Sequence, residues 1–380
     1  MQKKAAPPNS NTGCCSFLRT FLVIGALVLF LLILAEFIIR AFVPESDIQI
    51  VREGRSALQA SGTLELDYIM SYDSYLFWRL RPNLDVVQIK GTIDNFYLDF
   101  SVTTNSKGLR ICPEEIRRGK RRILVLGDSA AFGLGVDDCE TWPHQLEKML
   151  KGTEVVNAAV PGYTAFQGRR FLESYGPQID PDMILTAFWV NDKATWSSRT
   201  DAERTHITAS YRWDSFLQYS RLYCAIKRLV SVVHRGPKTE QPSMPRLTEE
   251  DFLNELARLY AWAHSHSIPI LYLIWPTLPQ VQEDEHANSH YQSLVLQASH
   301  RLGAPALDLA PVFQLAGSPV SVLFVDLYHP SPEGCCVAAE AIANKVTGIF
   351  PMMQKPPVGQ VVKKDRGHHD KVLSRHKQEI

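Results

Sequence analysis

The stretch Ile123-Leu-Val-Leu-Gly-Asp-Ser-Ala-Ala-Phe-Gly-Leu-Gly135 decides how the chain is read. Ile123 to Leu126 are all apolar, a run of strand length that leaves neither face for water, which argues for a strand buried on both sides. The run stops at Gly127, and Asp128 and Ser129 follow at once. Gly133 and Gly135 then allow the chain to turn away. The carboxyl ends of strands in an open α/β sheet face the ligand crevice, so a serine there can be held rigidly as a nucleophile. An ordinary strand-to-helix turn has the same pattern, so the surroundings have to decide.

From Arg121 onward, apolar runs alternate with helical segments. Ile123–Leu126 precedes Trp142–Leu150, and Val155–Ala159 precedes Phe166–Tyr175. Met183–Val190 is followed, after an interruption, by Phe252–His264, Ile268–Trp275, Tyr291–Leu302, Ala304–Leu309 and Pro332–Ile349. Such alternation predicts a mainly parallel sheet with helices on both faces. Thr248 with Asp251 marks a helix start. Residues 194–246 break the alternation, carry many charges and contain one helix candidate, Phe216 to Val233; they read as an insertion over the active face or a spacer.

Upstream, Phe21 to Ala35 contains no polar side chain, and extension to Ile39 admits only Glu36. Twelve of those fifteen residues are Leu, Ile, Val or Phe, which favours insertion into a bilayer by about 4–7 kcal/mol. No small-residue cleavage site follows, so the reading is an uncleaved transmembrane anchor rather than a signal peptide. Lys3, Lys4 and Arg19 precede the span while Arg40, Arg52 and Arg55 follow it, so the basic bias is nearly nil; the expected topology is a short cytoplasmic tail with the large domain outside. Between anchor and sheet, Tyr75-Leu-Phe-Trp-Arg-Leu-Arg-Pro and Asn95-Phe-Tyr-Leu-Asp-Phe-Ser-Val-Thr read as short strands.

The chain has 40 basic and 40 acidic residues, so no global field draws it to nucleic acid. Cys14 and Cys15 flank the span, either as lipidation sites or as inert thiols. Five further cysteines make an odd number, from which no complete disulfide framework follows. Cys335–Cys336 is expected to pack as a pair of small hydrophobes on a helix. His368–His369 is no metal site without partners.

Four signals fall at strand ends in order: Ser129, then Gly162 within Asn157-Ala-Ala-Val-Pro-Gly-Tyr-Thr164, then Asn191–Asp192, then Asp326-Leu-Tyr-His329. Singly, each has a bland account in a turn glycine, a capping Asn or a surface His. Jointly they supply a nucleophile, a base, an orienting carboxylate and oxyanion donors.

These four blocks resemble those of the SGNH, or GDSL-type, hydrolase family, over roughly residues 121–350. Asn105-Ser-Lys-Gly-Leu-Arg110 resembles a segment often found before this domain in bacterial envelope members. One position departs: Trp189 stands where the family's third block usually has glycine. The resemblance implies Ser129 as nucleophile, His329 as general base and Asp326 as its orienting carboxylate. It implies an oxyanion hole from the Ser129 N–H, the Gly162 N–H and the Asn191 amide, with Asp128 and Asp192 fixing loops. No metal or organic cofactor is implied.

The fold expected is α/β, a three-layer α/β/α sandwich with a mainly parallel, flavodoxin-like sheet, preceded by one transmembrane helix. Its parts are a disordered tail (1–16), the anchor (17–43), a small β-rich linking module (44–120), the hydrolase domain (121–350) and a disordered basic tail (351–380). The function expected is a membrane-anchored serine esterase acting on O-acyl, including acetyl, esters of envelope glycan or lipid. The alternatives are an O-acyltransferase to a glycan hydroxyl and a non-catalytic envelope scaffold.

Overall fold

A computed structural model describes residues 11–42, 64–113 apart from 65, 74 and 94, then 121–195, 200–205, 220, 222–223, 226, 244–282 and 289–350. The tail beyond 350 and most of the helix candidate 216–233 lie outside the described residues.

The sheet is built as the apolar runs require. Strands β5 (Arg121–Gly127), β6 (Thr153–Asn157), β7 (Met183–Ala187), β8 (Ile270–Ile274) and β9 (Ala306–Asp308) form one five-stranded sheet in the order β6-β5-β7-β8-β9. Every neighbouring pair is parallel. Ile123 to Leu126, Met183 to Leu185 and Ile270 to Ile274 are buried, each such side chain contributing about 1.5–3 kcal/mol. The chain crosses from β5 outward to β6 and then reverses past β5 to β7. Right-handed crossovers therefore place the helices on opposite faces. Helices 142–149 and 332–349 pack together, while 165–179, 249–265 and 290–302 form a second group. The reversal leaves a crevice at the carboxyl ends of β5, β6 and β7, where open α/β sheets bind ligands.

The region before the sheet contains two antiparallel hairpins. β1 (Met70–Asp73) pairs with β2 (Phe77–Leu80), and β3 (Val87–Ile93) with β4 (Phe96–Val102). Leu76, Leu80, Ile89, Leu98 and Phe100 are buried in the same apolar cluster as the sheet strands. The hairpins thus share an apolar core with the sheet.

The apolar N-terminal segment is a helix from Asn11 to Phe42. It begins inside the expected tail, so residues 11–16 continue the helix by a turn and more. Arg19–Ala41 is long and apolar enough to cross a membrane, and none of it is buried against protein. Glu36 pairs with Arg40 one turn on, at 2.7 Å. The Glu36 carboxylate also accepts from the Ser220 hydroxyl and the Leu222 N–H, both at 2.8 Å, which ties the inserted segment to the end of this helix.

The odd cysteine count leaves any pairing open. Cys112 and Cys139 form a disulfide. Of the adjacent pair on helix 332–349, Cys335 is buried and Cys336 is exposed. Successive helix positions are about 100° apart, so a core-facing residue carries its neighbour out of the core.

Candidate active site

Strand β5 delivers Ser129 as its apolar run predicts. Gly127 is required by close approach: a Cβ there would meet the Ala131 Cβ at 2.5 Å and the Ala187 carbonyl oxygen at 2.9 Å. Asp128 then caps a single helical turn, Ser129–Phe132, by accepting from the Ala130 N–H at 3.0 Å. Gly133 and Gly135 turn the chain away with φ of 89° and 87°.

His329 comes from the far end of the chain. Ser331 caps helix 332–349 through the Gly334 N–H, so the segment 326–329 enters the crevice just before that helix. Asp326 Oδ1 accepts from the Tyr328 and His329 N–H groups, both at 2.8 Å, making a tight local turn. Its Oδ2 lies 2.6 Å from His329 Nδ1. The opposite ring nitrogen, Nε2, lies 2.7 Å from Ser129 Oγ. A carboxylate can only accept from Nδ1–H, so Nε2 is left to accept the serine proton. Burial works against the Asp326 charge, but the His329 ring and the hydrogen bonds outweigh it and hold its pKa below the usual range.

The loop after β6 lies against the serine. Ala158 and Val160 donate to the carbonyls of Val125 and Gly127 at 3.0 and 3.2 Å. Asn157 spans the same gap through its side chain, donating to the Ala131 and Phe132 carbonyls at 3.3 Å. Gly162 has φ 80°, a conformation in which a side chain is strained. No backbone carbonyl among the described residues accepts from the Ser129 or the Gly162 N–H.

Asn191 follows β7 and is buried. Its amide nitrogen lies 3.4 Å from Asp128 Oδ2, so one N–H is engaged and the second is left over. Trp189, where the third block usually has glycine, is buried and donates its indole N–H to the Trp275 carbonyl at 3.0 Å. The bulky ring is accommodated by turning it into the core, and Asn191 keeps its place beside Asp128. Asp192 Oδ1 accepts from the Ala165 N–H at the start of helix 165–179, at 2.8 Å. Burial raises the pKa of Asp128 to about 6 and that of Asp192 to about 8.

Three residues that sequence reasoning did not single out shape this site. Arg110, fully buried, donates to Asp138 at 2.7 Å and to the carbonyls of Phe132 and Gly133 at 2.9 and 2.7 Å. It thus holds the end of the serine turn, and the motif that signalled it was Asn105 to Arg110. Trp78 and Arg246 grip the Gly162 loop. Trp78 lay in a quoted aromatic cluster, and Arg246 in a charge-rich insertion with no pattern to mark it. Cys112, Cys139 and His144 come within 4.8 Å of one another, but the sulfurs are bonded together, leaving no thiolate ligand.

Comparison with known proteins gives the family of the chain. The model of the GDSL-like lipase/acylhydrolase family matches residues 125–335. No curated protein matches the sequence. Among solved structures, the lipase/acylhydrolase from Enterococcus faecalis aligns at 16% identity, covering 63% of this chain and 100% of that one, with a TM-score of 0.38. The esterase EstA from Pseudoalteromonas sp. aligns at 13% identity, covering 61% and 100%, with a TM-score of 0.39. A variant of the acetyl-xylooligosaccharide esterase Axe2 from Geobacillus aligns at 15%, covering 61% and 96%, also with a TM-score of 0.39. The family match spans more than half of the chain, and the chain belongs to the GDSL-like lipase/acylhydrolase family of ester hydrolases.

Proposed function

We propose that the protein is a membrane-anchored serine esterase that hydrolyses O-acyl esters at the cell envelope. The observation that carries this reading is the unbroken chain Asp326–His329–Ser129, with links of 2.6 and 2.7 Å. Ser129 attacks the ester carbonyl while His329 Nε2 takes its proton. The same imidazolium then protonates the leaving alcohol, and Asp326 stabilises it and keeps the ring oriented. The Ser129 and Gly162 N–H groups and the free Asn191 N–H receive the negative charge on the tetrahedral intermediate. Water, activated by His329, then releases the acid and regenerates Ser129.

Two observations support the location. The Cys112–Cys139 disulfide suits an oxidising compartment, hence a domain outside the cytoplasm. The contact of Glu36 with Ser220 and Leu222 seats the inserted segment at the end of the apolar helix. That favours a substrate met near the membrane surface.

The test is incubation of the full-length protein with a short acyl ester and with acetylated envelope glycan, each with and without a sugar acceptor. Mass spectrometry should show free acid in both arms. Acylated acceptor in place of free acid would replace hydrolysis with acyl transfer, and no product from any substrate would leave a scaffold.

A further inference from the structure

The Gly162 peptide is held from two directions, and one hold comes from outside the region that the family model matches, 125–335. Trp78, on β2, donates its indole N–H to the Pro161 carbonyl oxygen at 3.0 Å. No described peptide bond is cis. The Pro161 C=O and the Gly162 N–H therefore belong to one planar trans unit and point in opposite directions. Fixing the carbonyl fixes the direction of the N–H. A donor on the carbonyl also polarises the amide, so its N–H becomes a stronger donor in turn.

The rest of the clamp holds Trp78 itself in place. The Tyr163 hydroxyl donates back to the Trp78 carbonyl at 2.7 Å, so hairpin and loop are tied both ways. Arg246 lies with its guanidinium carbon 5.4 Å from the Trp78 ring centroid and donates to the Gly162 carbonyl at 2.5 Å. Asp201 grips Arg246 with both carboxylate oxygens, at 3.1 and 2.7 Å. Phe77, just before the tryptophan, has φ 68°, a conformation seldom adopted by an aromatic residue. Its ring stacks on Phe166 at 6.1 Å. The hairpin thus accepts an unfavourable backbone conformation at the residue just before the tryptophan.

We propose that Trp78 is a positioning residue for ester hydrolysis: through the Pro161 carbonyl, its indole N–H aims and strengthens the Gly162 N–H as an oxyanion donor. The proposal rests on the esterase reading above. It makes the hairpin a part of the active site and not a spacer between membrane and enzyme.

The test uses the full-length protein in detergent, with carbonyl-labelled proline and nitrogen-labelled glycine. Pro161–Gly162 is the only Pro–Gly pair in the sequence, so the carbonyl-to-amide NMR correlation contains a single peak. Trp78→Phe keeps a ring and removes the N–H. It should shift that peak, speed exchange of the Gly162 amide, and lower kcat on a short acyl ester roughly 10-fold, less than the loss of a direct oxyanion donor. KM should stay within about 2-fold, because the bond matters in the transition state. Benzothienylalanine at position 78, with the fused ring but no N–H, should do the same. Tyr75→Phe, which removes a hairpin contact to Glu173, should leave peak and kcat unchanged. An unmoved peak in the Trp78 variants, or an unchanged kcat, overturns the proposal. A wild-type protein without ester turnover would defeat the esterase reading, while the Gly162 peak would still decide whether Trp78 fixes that amide.

Discussion

The side-chain nitrogen of Asn191 lies 3.4 Å from Asp128 Oδ2, so the segment after β7 is tied to the residue before the serine. One amide proton is used in this contact, and the proposed mechanism assigns the other to the oxyanion. Asn191→Ala should lower kcat by about 10²–10³ with little change in KM. Asn191→Asp should be at least as damaging, because it removes the donor and sets a second carboxylate against Asp128. A purely turn-capping Asn191 would tolerate Asp, which caps equally well. Steady-state kinetics of the Asp variant, with a melting curve to establish folding, separate the two.

Asp192 predicts a pH dependence of stability. Burial raises its pKa to about 8 in the folded protein, from the 3.8 of an exposed Asp. A raised folded-state pKa means that the folded protein holds a proton that the unfolded chain releases. The stability due to this group is fully present below about pH 4 and is lost as pH rises to about 8. Asp192→Asn keeps the oxygen that accepts from Ala165 and removes the titration. Its melting temperature should therefore exceed that of the parent by more at pH 8 than at pH 5. An equal difference at both pH values would show that Asp192 is ionised throughout.

Arg110 and Asp138 form an ion pair whose side chains are almost completely buried. Removing one partner leaves the other charged group without compensation, so Arg110→Met should cost about 3–5 kcal/mol in denaturant unfolding. The carbonyls of Phe132 and Gly133 each lose one of their donors in the same variant. Activity should therefore fall even at temperatures where the variant remains folded. A cost below about 1 kcal/mol would mean that the pair is not desolvated.

What the sequence made legible follows from range and burial. Strands β5, β7 and β8 are apolar because they are covered on both faces, so their carboxyl ends, and with them Ser129 and Asn191, could be located. The helix 332–349 matched its expected bounds because Ser331 and Pro332 mark its start. The Cys112–Cys139 bond could not be read, since an odd set of cysteines permits several pairings and spacing does not choose among them. The Trp78–Pro161 contact joins residues 83 apart, and no local pattern encodes it. Asp192 reads as one half of an Asn–Asp turn; its complete burial, and the bond from the Leu247 N–H to its backbone carbonyl, come from chain 55 residues away that no local pattern links to it.

The disulfide gives a handle on compartment and stability together. It closes a loop with a sequence separation of 27 residues, and its loss through Cys112→Ala with Cys139→Ala should cost about 2–4 kcal/mol. Protein from an oxidising compartment should resist maleimide at these two positions until it is reduced. A C-terminal alkaline phosphatase fusion should be active, and the full chain should stay with membranes after a carbonate wash. Free thiols at both positions, together with an inactive fusion, would put the domain on the cytoplasmic side.

The central claim is that Ser129 is the nucleophile, activated by His329. The most direct measurement is covalent labelling of the full-length protein with a serine-directed alkyl phosphonate, followed by peptide mass spectrometry. Ser129 should take the label, and Ser129→Ala should abolish labelling and lower ester turnover by at least ~10³-fold. His329→Ala should slow labelling comparably, because Ser129 then lacks the group that accepts its proton at 2.7 Å. Labelling at another residue, or an alanine variant at position 129 that still turns over ester, would contradict the account.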